Sequence, residues 1–251
     1  YDTSGGSDSS FLEMNRQNIY QGDTNIVGNN NNGQLTVNAN TSGVFGRADS
    51  QISLSSRALL NLNNSASAQA HTFAVDNATL AFNDTAGAGQ GIIKLTNGGQ
   101  ATFTDESHGD NANVTVDASS TLALQSSADA GSATVANSGK VLFADNAQGA
   151  GAVISNLAGG LVDISAALAS TSVGSLSGAG NVALGAATLI EGALGRNDTI
   201  SGIIDGAGSL VKTGTGTLNL TANNTWTGST TAHTHTANTV IRVGDGTAPS
   251  A

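Results

Sequence analysis

Large apolar residues recur along the chain at nearly constant intervals. Phe82, Phe103, Leu124, Phe143 and Ile164 follow one another after 21, 21, 19 and 21 residues. A second series, Leu95, Val116, Val135 and Ile154, runs between them. Each mark lies in a short run where apolar residues alternate with small or polar ones, such as Thr79-Leu80-Ala81-Phe82, Thr121-Leu122-Ala123-Leu124 and Lys140-Val141-Leu142-Phe143. A period of two predicts a strand with one face buried. The links are turn formers: Asp84-Thr85-Ala86-Gly87-Ala88-Gly89, Asn97-Gly98-Gly99, Asp129-Ala130-Gly131, Asn137-Ser138-Gly139. Short strands and tight turns repeating about every 20 residues, without a helical segment between them, predict a coiled sheet. The expected fold is all-β: a single-stranded, right-handed parallel β-helix (β-solenoid) with rungs of about 20 residues. The hand follows the general preference of parallel connections.

The steps alternate between long and short. Leu54 to Leu62 is 8 residues, Leu62 to Val75 is 13, Val75 to Phe82 is 7 and Phe82 to Leu95 is 13. A constant sum places equivalent strands above one another, hydrogen-bonded at a spacing of about 4.8 Å. Leu62, Phe82, Phe103, Leu124, Phe143 and Ile164 are predicted to form one inward column. Residues 1–33 read as an irregular N-terminal segment or cap. The apolar positions between Phe11 and Tyr20 fit neither period, and Asn29-Asn30-Asn31-Asn32-Gly33 is a turn. Residues 34–205 hold the rungs, with links that shorten after Ile164. Residues 206–251 form the C-terminal end of the same helix.

Composition sharpens the picture. Charged residues make up 10% of the 251 and aromatics 4%, with 33 Gly, one Pro and no Cys. Hydrophobic residues at 38%, falling at regular places, suit a narrow core rather than disorder. The net charge of −10, without a Lys/Arg cluster, argues against nucleic-acid binding and against attraction to anionic lipid. No run of about 18 apolar residues predicts a transmembrane helix. Tyr1-Asp2-Thr3-Ser4-Gly5-Gly6 lacks the basic start and apolar centre of a signal peptide, so the expectation is a segment of something longer. A cysteine-free acidic chain rich in Ser, Thr and Asn suits export in unfolded form to an extracellular setting.

Residues 206–246 carry a resemblance. Gly206-Ala207-Gly208-Ser209-Leu210-Val211-Lys212-Thr213-Gly214-Thr215-Gly216-Thr217-Leu218-Asn219-Leu220 leads into Asn223-Asn224-Thr225-Trp226-Thr227-Gly228-Ser229-Thr230. The stretch resembles the passenger-associated repeat of bacterial autotransporters (type V secretion). Val240-Ile241-Arg242-Val243-Gly244 is similar to the strand that follows in that repeat. The upstream pattern of Gly87-Ala88-Gly89, Asn97-Gly98-Gly99 and Phe103 is also similar to that family's passengers. Ala232-His233-Thr234-His235-Thr236 departs from the pattern, standing where the family has aliphatics and Gly. The resemblance implies a right-handed β-helix passenger at the bacterial cell surface or secreted, exported across the outer membrane. A C-terminal β-barrel, absent from these residues, would be its membrane contact.

Candidate chemistry is sparse. There is no G-x-x-x-x-G-K-S/T phosphate cradle and no G-x-S-x-G elbow. Gly5-Gly6-Ser7-Asp8-Ser9 has no His or Asp setting for a nucleophile. Polysaccharide hydrolysis needs paired carboxylates; Asp76, Asp84, Asp117, Asp129, Asp145 and Asp163 stand singly. Asp84, Asp105 and Asp145 each follow their strand mark by two, which reads as a turn-capping column. Asp105-Glu106-Ser107-His108-Gly109-Asp110-Asn111 has oxygen ligands suited to Ca²⁺ but reads as a solvated loop. His233 and His235 share one strand face without a third metal ligand. No residue is assigned as catalytic, cofactor-binding or metal-binding, and no cofactor is expected.

The expected function is that of a structural stalk or adhesin (cell adhesion, self-aggregation, biofilm), not an enzyme. Its partners would be a host or neighbouring-cell surface glycan or protein, or a second copy of itself. The alternatives are a carbohydrate-active β-helix enzyme and a surface-layer or filament subunit. Residues 206–246 are expected to be the folding nucleus. A coil forms slowly because it must close a loop of about 20 residues before its hydrogen bonds compensate, and here the links are short, Leu210 to Leu218 being 8 residues. Deleting 206–251 should slow refolding and lower the melting temperature, followed by circular dichroism, more than deleting 1–33. Unchanged refolding and melting would refute this.

Overall fold

The computed structural model describes residues 10–18, 21–28, 34–233 and 238–244. Within them the chain forms strands β1 to β24, numbered in chain order, and no helix. It coils into a parallel β-solenoid of about 11 turns with about 21 residues per turn.

Two long sheets and a short one run along the coil. The first holds β1 (Ser10–Met14), β3 (Leu35–Ala39), β5 (Leu59–Leu62), β7 (Thr79–Phe82), β9 (Gln100–Phe103), β11 (Thr121–Leu124), β13 (Lys140–Asp145), β15 (Leu161–Ala167), β17 (Asn181–Ala183) and β20 (Ile204–Asp205). The second holds β2 (Thr24–Val27), β4 (Gln51–Ser55), β6 (Thr72–Asp76), β8 (Ile92–Thr96), β10 (Asn113–Val116), β12 (Thr134–Asn137), β14 (Gly149–Asn156), β16 (Ser170–Ser177), β18 (Thr188–Glu191), β21 (Ser209–Lys212) and β23 (Thr230–Ala232). The third, near the C-terminal end, is β19 (Asp198–Ile200), β22 (Gly216–Leu220) and β24 (Thr239–Val243). A row of single bridges, Ser67 to Gly87 to His108 to Asp129 to Gln148, adds another ladder in the middle turns.

Parallel pairing in register puts each side chain against its counterpart one turn away. Ala39, Leu62, Phe82, Phe103, Leu124 and Phe143 form one such column. The rings of Phe82 and Phe103 stack with centroids 4.3 Å apart and planes 3° from parallel. Val37, Leu60, Leu80, Ala101, Leu122, Val141, Val162, Val182 and Ile204 form a second column across nine turns. All are buried in a single continuous core.

The predicted first column therefore holds as far as Phe143. Ile164 is buried, but the register slips there: Leu142 pairs with Asp163, whereas Ala144 pairs with Ala166. One extra residue in β15 makes a bulge, which breaks the one-to-one count. The second series divides between two columns. Leu95 does stack on Val116, but the next residue in that column is Asn137, not Val135. Val135 stacks instead on Val114 and Ile154. Val116 to Asn137 is a full turn of 21 residues, but Asn137 looks like a turn residue in the sequence while it points inward.

The described residues of 1–33 carry both long sheets: β1 pairs with β3 and β2 with β4. Phe11, Leu12 and Val27 are exposed at that end. Toward the other end, residues 206–233 continue the coil, with Leu210, Leu218 and Leu220 fully buried and Trp226 packed against the core.

Phe103 is 2% exposed and is stacked on both sides. Phe103→Ala should lower unfolding stability by about 3–5 kcal/mol, measured by denaturant titration. Thr102→Ala, at a half-exposed position on the same strand, should stay within about 0.5 kcal/mol of the parent.

Candidate functional site

Asp76, Asp84, Asp105, Asp110, Asp117, Asp129, Asp145 and Asp163 each already have a structural partner. Asp84 accepts from the backbone N–H of Asn64 at 2.8 Å, Asp105 from that of Asp84 at 3.1 Å, and Asp145 from that of Ser126 at 2.9 Å. In each case the carboxylate of one turn caps the equivalent residue of the turn before. Asn64, Asp84, Asp105, Ser126 and Asp145 all have φ between 56° and 58°, the left-handed conformation that Asn and Asp tolerate better than most residues. The column is thus a turn-capping ladder.

The other acids are similarly placed. Asp117 accepts from the N–H groups of Asn97 and Ser119, Asp129 from that of Gly131, and Asp76 from the side-chain amide of Asn97. Asp163 pairs with Lys140 at 2.8 Å and accepts from Ser165 N–H. Burial pushes its carboxyl up, but the Lys140 and Ser165 hydrogen bonds outweigh this and hold it below the usual carboxylate range.

In the acidic turn, Asp110 accepts from Gly89 N–H at 2.8 Å. Asp105 and Asp110 are therefore each engaged with the preceding turn. Among the described residues no three His, Cys, Asp or Glu side chains come together in a way that would hold a metal ion. His233 is exposed, and its backbone N–H donates to Lys212 O. His235 and Ser7 lie outside the described residues.

Asparagine ladders were not apparent from the sequence. Asn40, Asn63 and Asn83, each following its strand, donate in turn to the amide oxygen of the turn before at 2.6, 2.8 and 2.8 Å, starting from Asn15. Thr104 Oγ1 then donates to Asn83 at 3.1 Å. Their spacing of 20 to 25 residues was the available signal. Inside the core, Asn137 Nδ2 donates to Asn156 Oδ1 at 2.9 Å, and Asn156 donates to Asn181 O at 2.9 Å.

The densest group of buried titratable residues lies near the C-terminal end. Glu191, Asp198 and Lys212 are 0%, 3% and 0% exposed. Glu191 and Lys212 are register partners on β18 and β21. Burial, helped by neighbouring Asp198 and opposed by Lys212, pushes the Glu191 carboxyl up to about 8. Ser175 Oγ donates to Asp198 Oδ1 at 2.7 Å. Lys212 Nζ donates to the carbonyls of Thr213 and Thr215 at 2.8 and 3.2 Å. Gly192, with φ of 99°, makes room for it: a Cβ there would collide with Nζ. The sequence assigns none of this trio to a site. The available signal was that Lys212 follows Glu191 by one turn at an inward position.

His71 is the second buried titratable site. Its Nδ1 lies 3.1 Å from Ser50 Oγ, and its ring meets Phe45 and Phe73 edge-on. Burial lowers its pKa, against weaker opposing effects of Ser50 and Asp49.

The surface offers shallow clefts. One of about 610 Å³ is lined by Thr221, Asn223, Trp226 and Val243. Another, of about 410 Å³, lies over the capping column at Asp84, Asp105, Glu106 and Ser126. An apolar hollow of about 410 Å³ opens at the N-terminal end beside Phe11, Met14, Ile26 and Phe45. The geometry defines a parallel β-solenoid whose outward polar groups mainly serve its turns. No family model, no curated protein and no solved structure matches the chain.

His71 generates a pH prediction. The folded state binds its proton less readily than the unfolded state, whose value lies near 6.5. Stability from this group is therefore complete above pH 6.5 and falls as pH is lowered, by at most about 1.4 kcal/mol per unit. His71→Phe should remove this component, seen as a smaller loss of stability than the parent shows between pH 6.5 and 5 in denaturant titrations.

Proposed function

We propose that this chain is part of the passenger of a bacterial autotransporter, surface-exposed or secreted, and acts as a stalk or adhesin rather than an enzyme. The observation that carries this reading is the role of the acids. The surface acids Asp84, Asp105 and Asp145, which would have to converge for catalysis, are distributed one per turn and bonded to the turn before. What remains available is a repetitive polar exterior, suited to spacing or to multivalent contact. The residues of the passenger-like repeat support it further. Ser209 to Lys212 and Gly216 to Leu220 lie on β21 and β22, continuing the coil in register.

As an adhesin, the segment would engage a glycan or protein on a host or neighbouring cell, or a second copy of itself. The half-buried Trp226 in its cleft beside Thr221 and Asn223 has the composition of a carbohydrate contact, an aromatic face with polar neighbours.

The test is to display the chain on a non-aggregating bacterium and measure settling, with the purified protein applied to a glycan array. Aggregation, or array binding that Trp226→Ala reduces at least tenfold, is the expected result. Absence of both, together with turnover of a polysaccharide that one Asp substitution abolishes, would replace this reading with the enzymatic one.

A further inference from the structure

The Glu191, Asp198 and Lys212 cluster is not explained by turn capping. Lys212 Nζ lies 3.8 Å from Glu191 Oε2, beyond the short contact of a charge-assisted hydrogen bond. The Glu191 carboxyl has only the Asp198 carboxyl and the Leu176 backbone as hydrogen-bonding neighbours, and neither it nor Asp198 Oδ2 receives a bond from the Lys212 ammonium. Two buried carboxyls facing a fully buried amine that bonds to neither are a costly arrangement for side chains that remain separate. Their parallel register holds amine and acid together whenever the coil is formed.

We propose that Lys212 and Glu191 condense into an intramolecular isopeptide bond, with Asp198 carrying the proton. Two of the three ammonium protons donate to Thr213 and Thr215. The third passes by way of the Glu191 carboxyl, 3.8 Å from Nζ, to the Asp198 carboxyl that lies against it and that Ser175 orients. The freed lone pair on Nζ attacks Cδ of the protonated Glu191 carboxyl. Asp198 then delivers its proton to the leaving hydroxyl, the C–O bond breaks and water departs. The nitrogen loses a further proton as the amide forms, and Asp198 holds it at the end. One C–N bond is made, one C–O bond is broken, and nothing is oxidised or reduced.

The surroundings favour each part. Burial keeps the Glu191 carboxyl protonated, and a carboxylic acid accepts a nucleophile more readily than a carboxylate does. The groups facing it are Asp198 from β19, Lys212 from β21 and the Leu176 backbone from β16. Holding the reactants side by side replaces an activated ester or an external enzyme. The product would link consecutive turns in a chain without cysteine.

The experiment is intact-mass spectrometry of the purified full chain, folded by circular dichroism and then denatured. The expected mass is below the sequence mass by one water. Cleavage after Lys and Arg should give peptide 141–196 joined to 197–242, with Lys212 uncut. Lys212→Arg should restore the full sequence mass, and Asp198→Asn should leave most of the chain unlinked. A folded parent at full sequence mass overturns the proposal. So does a water loss mapped to any other peptide, or parental stability that falls through Glu191 titration as pH rises from about 4.5 towards about 8. The mass and digest of the parent decide the matter even where a variant does not fold.

Discussion

The rest of this structure depends on main-chain hydrogen bonding between consecutive turns. Strands held about 4.8 Å apart in parallel register leave each side chain little freedom to avoid its counterpart above and below. A residue type is therefore acceptable only if it can sit on a copy of itself or on a complement. Leucine, valine and phenylalanine satisfy this by packing, as at Phe82 and Phe103. Asparagine satisfies it because its amide both donates and accepts, so Asn40, Asn63 and Asn83 can form a chain. Ionised aspartate cannot donate, and like charges on neighbouring strands repel. Asp84 and Asp105 avoid this by each reaching back to a backbone N–H.

The same constraint explains where charge enters the interior. A buried cation in a stacked column needs an anion or an acid as its neighbour, and Lys212 has Glu191. Gly192 completes the arrangement by leaving space at the ammonium. Deep in the column of Leu95 and Val116, the chain changes to Asn137 and Asn156. Both exceptions bring their own partners, because a buried polar group without one is strongly unfavourable.

The coil itself was legible because sequence period and spatial register are the same quantity here. Leu62, Phe82, Phe103, Leu124 and Phe143 could be placed from their spacing alone. Val135 stands two residues before Asn137, the residue that continues the column of Leu95 and Val116, and Asn137 resembles a turn residue when only the sequence is read. The bulge at β15 was hidden for the related reason that an extra residue inside a strand leaves no mark in composition. The capping role of Asp84, Asp105 and Asp145 was readable from their common offset. Glu191, Asp198 and His71 were not, since their significance lies in burial and in neighbours from other strands. Single acids and a single imidazole look alike in sequence whether they face water or the core.

The one-to-one stacking also bears on how such a chain can change its length. A tandem duplication of about 21 residues inserts one more layer and leaves every existing column continuous. Loss of the same number closes the gap in the same way. A change of a single residue within a strand has to be absorbed locally, as the bulge between β13 and β15 absorbs one. The molecule is thus extensible in quanta of a whole turn, each adding about 4.8 Å to its long axis, and recombination between its own repeats is a ready route to variants of different reach.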